Sequence, residues 1–301
     1  MQLAQLRNFS TIVEAGSIRA AARRLGISQP SATKGLRALE QQLDTTLVQR
    51  NSRGVVLTEA GRAFLVRARA VLSELERARE EIDRLAGRQA DTVRVGVASV
   101  VGAWLVPRAL ARYRRERPAT AVRVVEGTQE TLLPMLREGT LDFAVCLRLE
   151  PESTGGFTVR PVAKFRLTPV GRKGHPLRRA RTLEELRDAD WIMTRPRGSG
   201  GVLEHAFVAA GLELPATATE CDSHAIKVAA LASSDALGLL ARPMLEEPAV
   251  RALLQEIPLE RPLPLMTFAL YNRSESRPTP AARAFAAAIA AECRTILRLE
   301  A

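Results

Sequence analysis

The sequence has few cysteines, and their placement narrows the class of protein. Only three are present in 301 residues, Cys146, Cys221 and Cys293, and none is spaced for a disulfide framework or a metal site. A small secreted fold held together by disulfides is therefore excluded. Unpaired cysteines suit a reducing compartment.

Long apolar runs and export features are also missing. No apolar stretch approaches the roughly 20 residues that a helix needs to cross a bilayer. The segment MQLAQLRNFSTIVEAG, residues 1–16, lacks the basic start, apolar stretch and small-residue cleavage site of an export signal. We therefore expect a cytoplasmic protein without membrane contact.

Motifs of common enzymes are not found in the sequence. There is no G-x-S-x-G, H-E-x-x-H or phosphate-binding G-x-x-x-x-G-K motif. The three histidines, His175, His205 and His224, are isolated, and structural roles are favoured for the first two. We predict that the protein is not an enzyme and that it carries no metal or cofactor.

Positive charge is concentrated near the N-terminus. The chain has a formal net charge of +11, and residues 1–57 hold eight Arg and Lys against three acids. This distribution favours a module that binds a polyanion such as DNA. An Arg-rich composition that reflects genomic base bias is the alternative.

Three short helices are predicted within the first 43 residues. Gly16 and Gly26 end the first two helices, while Ser17 and Ser28 are suitable N-caps for the second and third. Pro30 falls in the first turn of the third helix, where its missing N–H is not needed. Two helices separated by so short a turn predict a helix-turn-helix.

The third helix carries polar groups opposite its buried stripe. Lys34 and Arg37 point away from that stripe, with Thr33 beside them. Short polar side chains can meet base edges, and cations can meet phosphates. This helix is therefore predicted to read DNA in a groove; an ordinary polar outer face is the alternative.

Residues 47–58, LVQRNSRGVVLT, predict a β-hairpin that turns at 51–54. Arg50 and Arg53 near its tip would reach phosphates or a minor groove. The hairpin makes the predicted helix-turn-helix a winged one.

Thr58 is predicted to cap a long helix with a heptad seam. The seam residues are Phe64, Ala68, Val71, Leu75, Ala78, Ile82 and Leu85. Little of the neighbouring chain is available to bury them, so a dimerisation helix is favoured over packing on its own domain.

From Thr92 onward strands and helices alternate, which indicates an α/β unit with parallel strand pairing. Pro134 should kink a predicted helix at 130–139 or delay its start.

The segment LRNFSTIVEAGSIRAAARRLGISQPSATKGLRALEQQLDTTLVQRNSRGVVLTEAG, residues 6–61, resembles the N-terminal signature of LysR-type transcriptional regulators. Weaker similarities, LREGTLDFAV, GHPL and ALGLLARPM, extend the resemblance over essentially the whole chain. The resemblance implies an all-α winged helix-turn-helix, a long linker helix and a two-lobed α/β effector domain of the periplasmic-binding-protein type. Its implied boundaries are 1–58 for the DNA-binding domain, 59–91 for the linker helix and hinge, and 92–301 for the effector domain, with lobe I at 92–161 and 267–301 and lobe II at 162–266.

The same resemblance implies the partners and their contacts. A homotetramer, built as a dimer of dimers, would bind double-stranded operator DNA of roughly palindromic sequence, with RNA polymerase as a further candidate partner. Base reading falls to Gln29, Ser31, Thr33 and Lys34, with Pro30 on the same surface, and phosphate contacts fall to Ser28, Arg37, Arg50 and Arg53. Many members of the family have Arg near the position of Lys34. Lys lacks the bidentate guanidinium group of Arg, so Lys34 is less suited than Arg to reading a guanine base.

For the effector, the resemblance implies a small organic acid in the cleft between the lobes. The matching positions are Ser99, Val100, Thr128, Gly198, Ser199, Ser223 and His224. The alternative is structural, because Ser and Thr commonly cap helices and glycines shape turns. RPRGSGG and HAFVAAGLELP resemble the branch of the family that responds to aromatic acids or aryl sulfonates. Cys146 and Cys221 do not match the cysteine pair of its redox-sensing members.

Two rival functions stay open on sequence grounds. One is a solute-binding protein, which residues 92–301 alone would support. The other is an architectural protein that binds DNA without regard to sequence. The missing export features and the attached DNA-binding module disfavour the first, and the large sensing domain disfavours the second.

Overall fold

The computed structural model of the chain describes residues 1–51, 54–88, 90–148, 155–194, 198, 201–215, 218–274 and 277–297. The chain divides into two compact units. The N-terminal unit comprises residues 1–91 and 133–141, and the C-terminal unit comprises residues 92–132 and 142–301. Within the described part of the chain, no helix has both the length and the apolar character needed to cross a membrane.

The N-terminal unit contains the predicted helices and hairpin. Its elements are α1 (Leu3–Ala15), α2 (Ile18–Leu25), α3 (Gln29–Gln42), β1 (Val48–Asn51), β2 (Gly54–Leu57) and α4 (Glu59–Leu85). Ser17 caps α2 by accepting a hydrogen bond from the amide of Ala20 at 3.1 Å. Gly16 and Gly26 end α1 and α2 in the left-handed conformation, which glycine adopts without strain.

Small residues allow close packing in this unit. Ala21, Ala22 and Ala32 are buried between the helices. The buried Asn8 side chain donates a 2.7 Å hydrogen bond to the carbonyl oxygen of Ala32, which ties α1 to the start of α3. The position of α3 is therefore fixed by buried contacts, and its polar face is left outside.

The hairpin is attached to the helices at two points. The amide of Val55 donates to the carbonyl oxygen of Gly16 at 2.9 Å. The carboxylate of Glu40 on α3 accepts from the amide of Leu47 at 2.8 Å, just before β1. These bonds hold the wing against both the α1–α2 turn and α3.

Helix α4 buries only the first part of its predicted seam. Ala68 is buried and Phe64 lies against Phe9, with ring centroids 5.6 Å apart. Further along, Ile82 is 59% exposed and Leu85 is 71% exposed. The seam therefore has two parts, one packed on its own unit and one open.

The segment 133–141 lies against the middle of α4 in the N-terminal unit. Arg69 forms ion pairs with Glu138 at 2.9 Å and with Glu14 at 3.2 Å. The hydroxyl of Ser73 donates to the carbonyl oxygen of Gly139 at 2.5 Å. These polar contacts attach the segment to α4.

A nine-stranded mixed sheet forms the frame of the C-terminal unit. Its strands are β3 (Thr92–Val97), β4 (Ala121–Glu126), β5 (Phe143–Leu147), β6 (Phe157–Arg172), β7 (Trp191–Met193), β8 (Ala218–Glu220), β9 (Leu237–Ala241), β10 (Leu254–Glu256) and β11 (Leu265–Arg273). The strand order is β4-β3-β5-β11-β6-β9-β7-β8, and β10 pairs with β6. Strand β3 is parallel to β4 and β5, and β7 is parallel to β8 and β9.

Helices connect these strands. They are α5 (Ser99–Glu116), α6 (Gln129–Arg137), α7 (Val202–Ala209), α8 (His224–Ser233), α9 (Pro248–Leu253) and α10 (Pro280–Leu297). Helix α6 begins before Pro134, so the predicted late start is wrong. The sequence predicts a helix at 183–189, whereas the chain forms only a single 3-10 turn there, at Glu184–Leu186. The side chain of Glu185 there accepts from the amides of Arg181 and Thr182, which holds the backbone in a turn.

Strand β6 is longer than predicted. The sequence predicts a strand beginning at Phe165, whereas β6 begins at Phe157 and pairs with β11 from Phe157 to Arg166. The pairing register shifts between Phe268 and Ala269, opposite Pro161. Proline has no N–H to donate and is tolerated at such an irregularity, so it does not end the strand.

Candidate DNA-reading surface and ligand cavity

The outer face of α3 forms a shallow groove. It is lined by Gln29, Pro30, Thr33, Lys34, Arg37, Ala38 and Gln41. The first five of these are predicted DNA contacts. Ala38 and Gln41 extend the groove beyond the predicted contacts, and the helical spacing places Gln41 on this face.

The remaining predicted contacts occupy different positions. Ser28 caps α3 by accepting from the amide of Ser31 at 3.2 Å, and the two exposed hydroxyls are 2.8 Å apart. Arg53 and the side chain of Arg50 lie outside the described residues. The groove and the cap therefore present one continuous polar surface along the first three turns of α3.

The groove is cationic. Lys34 and Arg37 are exposed, and no described carboxylate forms an ion pair with either of them. Their charges are therefore available to a phosphate backbone, where each contact releases a counterion and makes binding dependent on salt.

A largely apolar cavity lies in the C-terminal unit at the carboxyl ends of β3, β4 and β7. Its volume is about 130 Å³. The lining residues that follow these strands include Ala98, Gly127 and Thr194, and the first residues of α5, α6 and α7 complete that side. Free N–H groups and the helix dipole make such helix starts favourable for an anion.

Two of the predicted effector contacts, Ser99 and Thr128, line this cavity together. The hydroxyl of Ser99 also donates to the carbonyl oxygen of Asp222 at 2.5 Å. These residues are 123 positions apart, so the bond joins the start of α5 to the loop before α8. The side chain of Val100 lies outside the described part of the chain.

The other predicted effector residues are not among the described cavity-lining residues. Gly198 is an exposed turn residue with φ +84°, and its amide donates to the carboxylate of the buried Glu204. Ser223 caps α8 by accepting from the amide of Ile226 at 3.4 Å. Ser199 lies outside the described residues.

His224 is half-buried at the start of α8. Burial lowers the pKa of its imidazole, the nearby Lys227 lowers it further, and Glu126 opposes both. The neutral imidazole is therefore the favoured form at neutral pH.

Three lining residues, Lys227, Thr194 and Gln129, were missed by the sequence analysis. Lys227 is only 5% exposed, and its ammonium donates to the hydroxyl of Thr194. Burial lowers the pKa of this lysine, while Cys221 and Asp222 oppose the shift. A single Lys within HAIKVAALAS was the available signal, because an apolar helix rarely places a cation on its buried face.

Two of the three cysteines are predicted to resist modification. Burial raises the pKa of Cys146 and of Cys293 to about 12, so neither is a thiolate at neutral pH. Cys221 is half-buried.

In the native protein a thiol-specific disulfide reagent should label one equivalent, at Cys221, and should label all three only after denaturation. Cys221→Ser should therefore abolish native labelling; persistence of that labelling would contradict this prediction.

The chain combines a winged helix-turn-helix, a long helix and an α/β unit with a ligand-sized cavity. This combination defines a DNA-binding regulator that responds to a ligand. The family profile of the bacterial regulatory helix-turn-helix proteins, lysR family, matches residues 3–62, and that of the LysR substrate binding domain matches residues 86–294. The chain belongs to the LysR family of transcriptional regulators.

Individual relatives agree with this assignment. The chain is 30% identical to the HTH-type transcriptional regulator PcaQ of Agrobacterium fabrum, over 86% of this chain and 85% of PcaQ. It is 28% identical to the regulator GbpR of Azospirillum brasilense, over 99% of this chain and 88% of GbpR. The crystal structure of full-length CbnR complexed with its target DNA has a similar fold, with a TM-score of 0.67 at 22% identity, covering 97% of this chain and all of that one.

The protein is therefore a transcriptional regulator with a helix-turn-helix DNA-binding domain and an effector-binding domain. Both of these relatives, PcaQ and GbpR, are regulators of transcription.

Proposed function

We propose that the groove on α3 reads operator bases and that the cations beside it fix the protein on the phosphate backbone. Thr33 and Lys34 lie where a helix seated in the major groove would present them to base edges. Arg37, one turn further along α3, suits a phosphate contact. The single observation that supports a DNA-reading role for α3 is its exposed polar face, because the opposite face is packed in the core of the unit.

Lys34→Ala and Arg37→Ala form a matched pair, because each removes one exposed cation from the same helix. Lys34→Ala should lose about 5- to 150-fold in discrimination between the operator and a scrambled duplex. Arg37→Ala should weaken both duplexes equally and reduce the salt slope by about one unit. Fluorescence anisotropy over a salt series measures both quantities. Equal behaviour of the two variants on both duplexes would contradict the assigned roles.

We further propose that two copies of the chain pair through the open part of the α4 seam. Val71, Ile82 and Leu85 are 48%, 59% and 71% exposed, and they repeat at heptad spacing. An apolar seam with this repeat is buried when a second helix packs along it. Pairing presents two reading helices to a two-fold operator, and the dimer is the unit from which a tetramer would be built.

For the effector, we propose a small organic anion in the cavity of the C-terminal unit. The observation that supports it is the convergence of the starts of α5, α6 and α7 on one apolar cavity, with Ser99 and Thr128 in its lining. Aromatic acids and aryl sulfonates are the first probes, because they combine an anionic group with an apolar body. Binding would change the arrangement of the protein on DNA and thereby transcription.

A thermal-shift screen of small organic acids tests this proposal. A ligand at 100 times its Kd adds about 2.7 kcal/mol to the free energy of unfolding, which is readily detected. The shift should fall in Thr128→Ala and in Ser99→Ala. Leu253→Ala, an exposed site on α9 outside the lining, is the control. A shift that survives both cavity substitutions would place the ligand elsewhere.

A further inference from the structure

Lys227 is a buried cation with no ion-pair partner among the described residues, although Asp222 lies near enough to favour its charged form. Its side chain is 5% exposed, and the hydroxyl of Thr194 is its hydrogen-bond partner. No described carboxylate forms an ion pair with it. Buried charges in proteins are normally paired, because removing an ion from water is costly.

A purely structural role explains this lysine poorly. Helix α8 packs its apolar residues against β6 and β9, and Leu231 supplies a fully buried contact there. An apolar residue at 227 would continue that packing at lower cost than an ammonium. Because Lys227 also lines the cavity, an anion inside the cavity would complete its environment.

Gln129, at the start of α6, is a second incomplete group in the same lining. Its side-chain oxygen is buried and has no hydrogen-bond partner among the residues that the structure describes. Buried polar atoms nearly always have a partner, and this oxygen requires a donor. A ligand that carries a hydroxyl or an N–H would supply one.

The remaining lining and the volume limit the body of the ligand. Much of the wall is apolar, including Leu147, Trp191 and Met266. The cavity of about 130 Å³ is close to the roughly 150 Å³ that suffices for benzene in an engineered apolar cavity. The body should therefore be about the size of a single ring.

Building on the proposed function, we infer that Lys227 is the counter-charge of a single carboxylate and selects a compact monocarboxylate as effector. The ammonium of Lys227 and the hydroxyl of Thr194 offer two donors to the two carboxylate oxygens. Gln129 then accepts from a hydroxyl elsewhere on the ligand. A second carboxylate would meet this acceptor, the carboxylate of Glu130 or the apolar wall, so dicarboxylates are disfavoured.

The test uses the full-length protein and calorimetric titration with four probes. These are 4-hydroxybenzoate, benzoate, the neutral 4-hydroxybenzamide and the dicarboxylate terephthalate. We expect 4-hydroxybenzoate to bind best. The amide should bind at least about 10-fold more weakly because it loses a charge-assisted contact, and terephthalate should do so because its second carboxylate is buried without a partner. Benzoate should bind a few-fold more weakly than 4-hydroxybenzoate, because it leaves Gln129 without a donor.

Variants assign these effects to residues. Lys227→Met keeps a similar length without the charge and should weaken 4-hydroxybenzoate about 10-fold or more while leaving the amide little changed. Gln129→Leu should abolish only the preference for the hydroxyl group. Thr194→Val, which retains Lys227, provides a second variant if Lys227→Met fails to fold, and should also weaken the carboxylates. Unchanged melting and operator binding of the variants without ligand show that they fold.

The outcomes separate this inference from the proposed function. Carboxylate binding to Lys227→Met as tight as to the wild type would overturn the inference, as would wild-type protein that prefers the amide or binds none of the carboxylates. If an anion of another class then binds and loses affinity in Thr128→Ala, the proposed effector site in the cavity is supported and the proposed role of Lys227 is rejected. If no organic anion binds in the cavity, both the proposed effector site and the role of Lys227 are rejected.

Discussion

Replacing both Ile82 and Leu85 by Glu should convert the protein to a monomer and reduce operator affinity by about 100- to 10,000-fold. Both side chains are largely exposed on α4, and in a paired seam they would be buried against a second copy. The substitutions remove that apolar area and place two carboxylates from each copy in the seam. A monomer then loses the gain that comes from linking two DNA-binding modules, which is of this order.

Arg79→Glu is the matched control for this double variant. It changes the net charge of α4 by the same amount, but Arg79 lies outside the heptad seam. Light scattering coupled to gel filtration gives the oligomeric state, and fluorescence anisotropy with operator DNA gives the affinity. A double variant that remains dimeric, or a control that dissociates equally, would show that α4 does not pair through this seam.

Signals that act within a few residues were predictable from the sequence. Ser17, Ser28 and Thr58 each cap a helix by accepting from the amide three positions later, as their sequence context indicates. The glycines that end α1 and α2 were predictable for the same reason. The order of elements in the N-terminal unit follows from these local signals.

Periodicity identified the seam of α4 but not what covers it. The same heptad pattern runs from Phe64 to Leu85, yet its first residues pack on the N-terminal unit and its last are exposed. A repeat shows only that an apolar stripe exists. Its partner depends on tertiary packing, which the repeat does not encode.

The cavity was only partly predictable, because its residues converge from distant parts of the chain. Ser99 and Thr128 were found because each follows a strand, where a parallel sheet places its binding residues. The contact between Lys227 and Thr194 spans 33 positions and the bond from Ser99 to Asp222 spans 123. No local sequence pattern encodes such pairings.

The full length of β6 was not predictable either, because it depends on pairing with β11, which is distant in sequence.

Gly61→Ala should destabilise the N-terminal unit by about 1–3 kcal/mol, even though alanine is the better helix former. A Cβ atom at Gly61 would lie 1.9 Å from the carbonyl oxygen of Leu47. That carbonyl cannot easily move, because it accepts hydrogen bonds from both the amide and the hydroxyl of Thr58, at 3.0 and 3.1 Å. The added methyl group must therefore displace the start of β1 or of α4, and with it the wing.

Gly35→Ala is the matched control, since it places the same methyl group in a helix of the same unit. There the Cβ would lie 2.9 Å from the side-chain nitrogen of Asn8, which can shift at the cost of its hydrogen bond to Ala32, whereas the backbone at Leu47 cannot shift. We therefore expect a smaller loss of stability for Gly35→Ala than for Gly61→Ala. Thermal unfolding followed by circular dichroism gives the difference in Tm, and operator binding reports displacement of the wing. Equal losses in the two variants would mean that the backbone around Leu47 yields as readily as a side chain, and the close approach of α4 to the hairpin would not be what holds the wing in place.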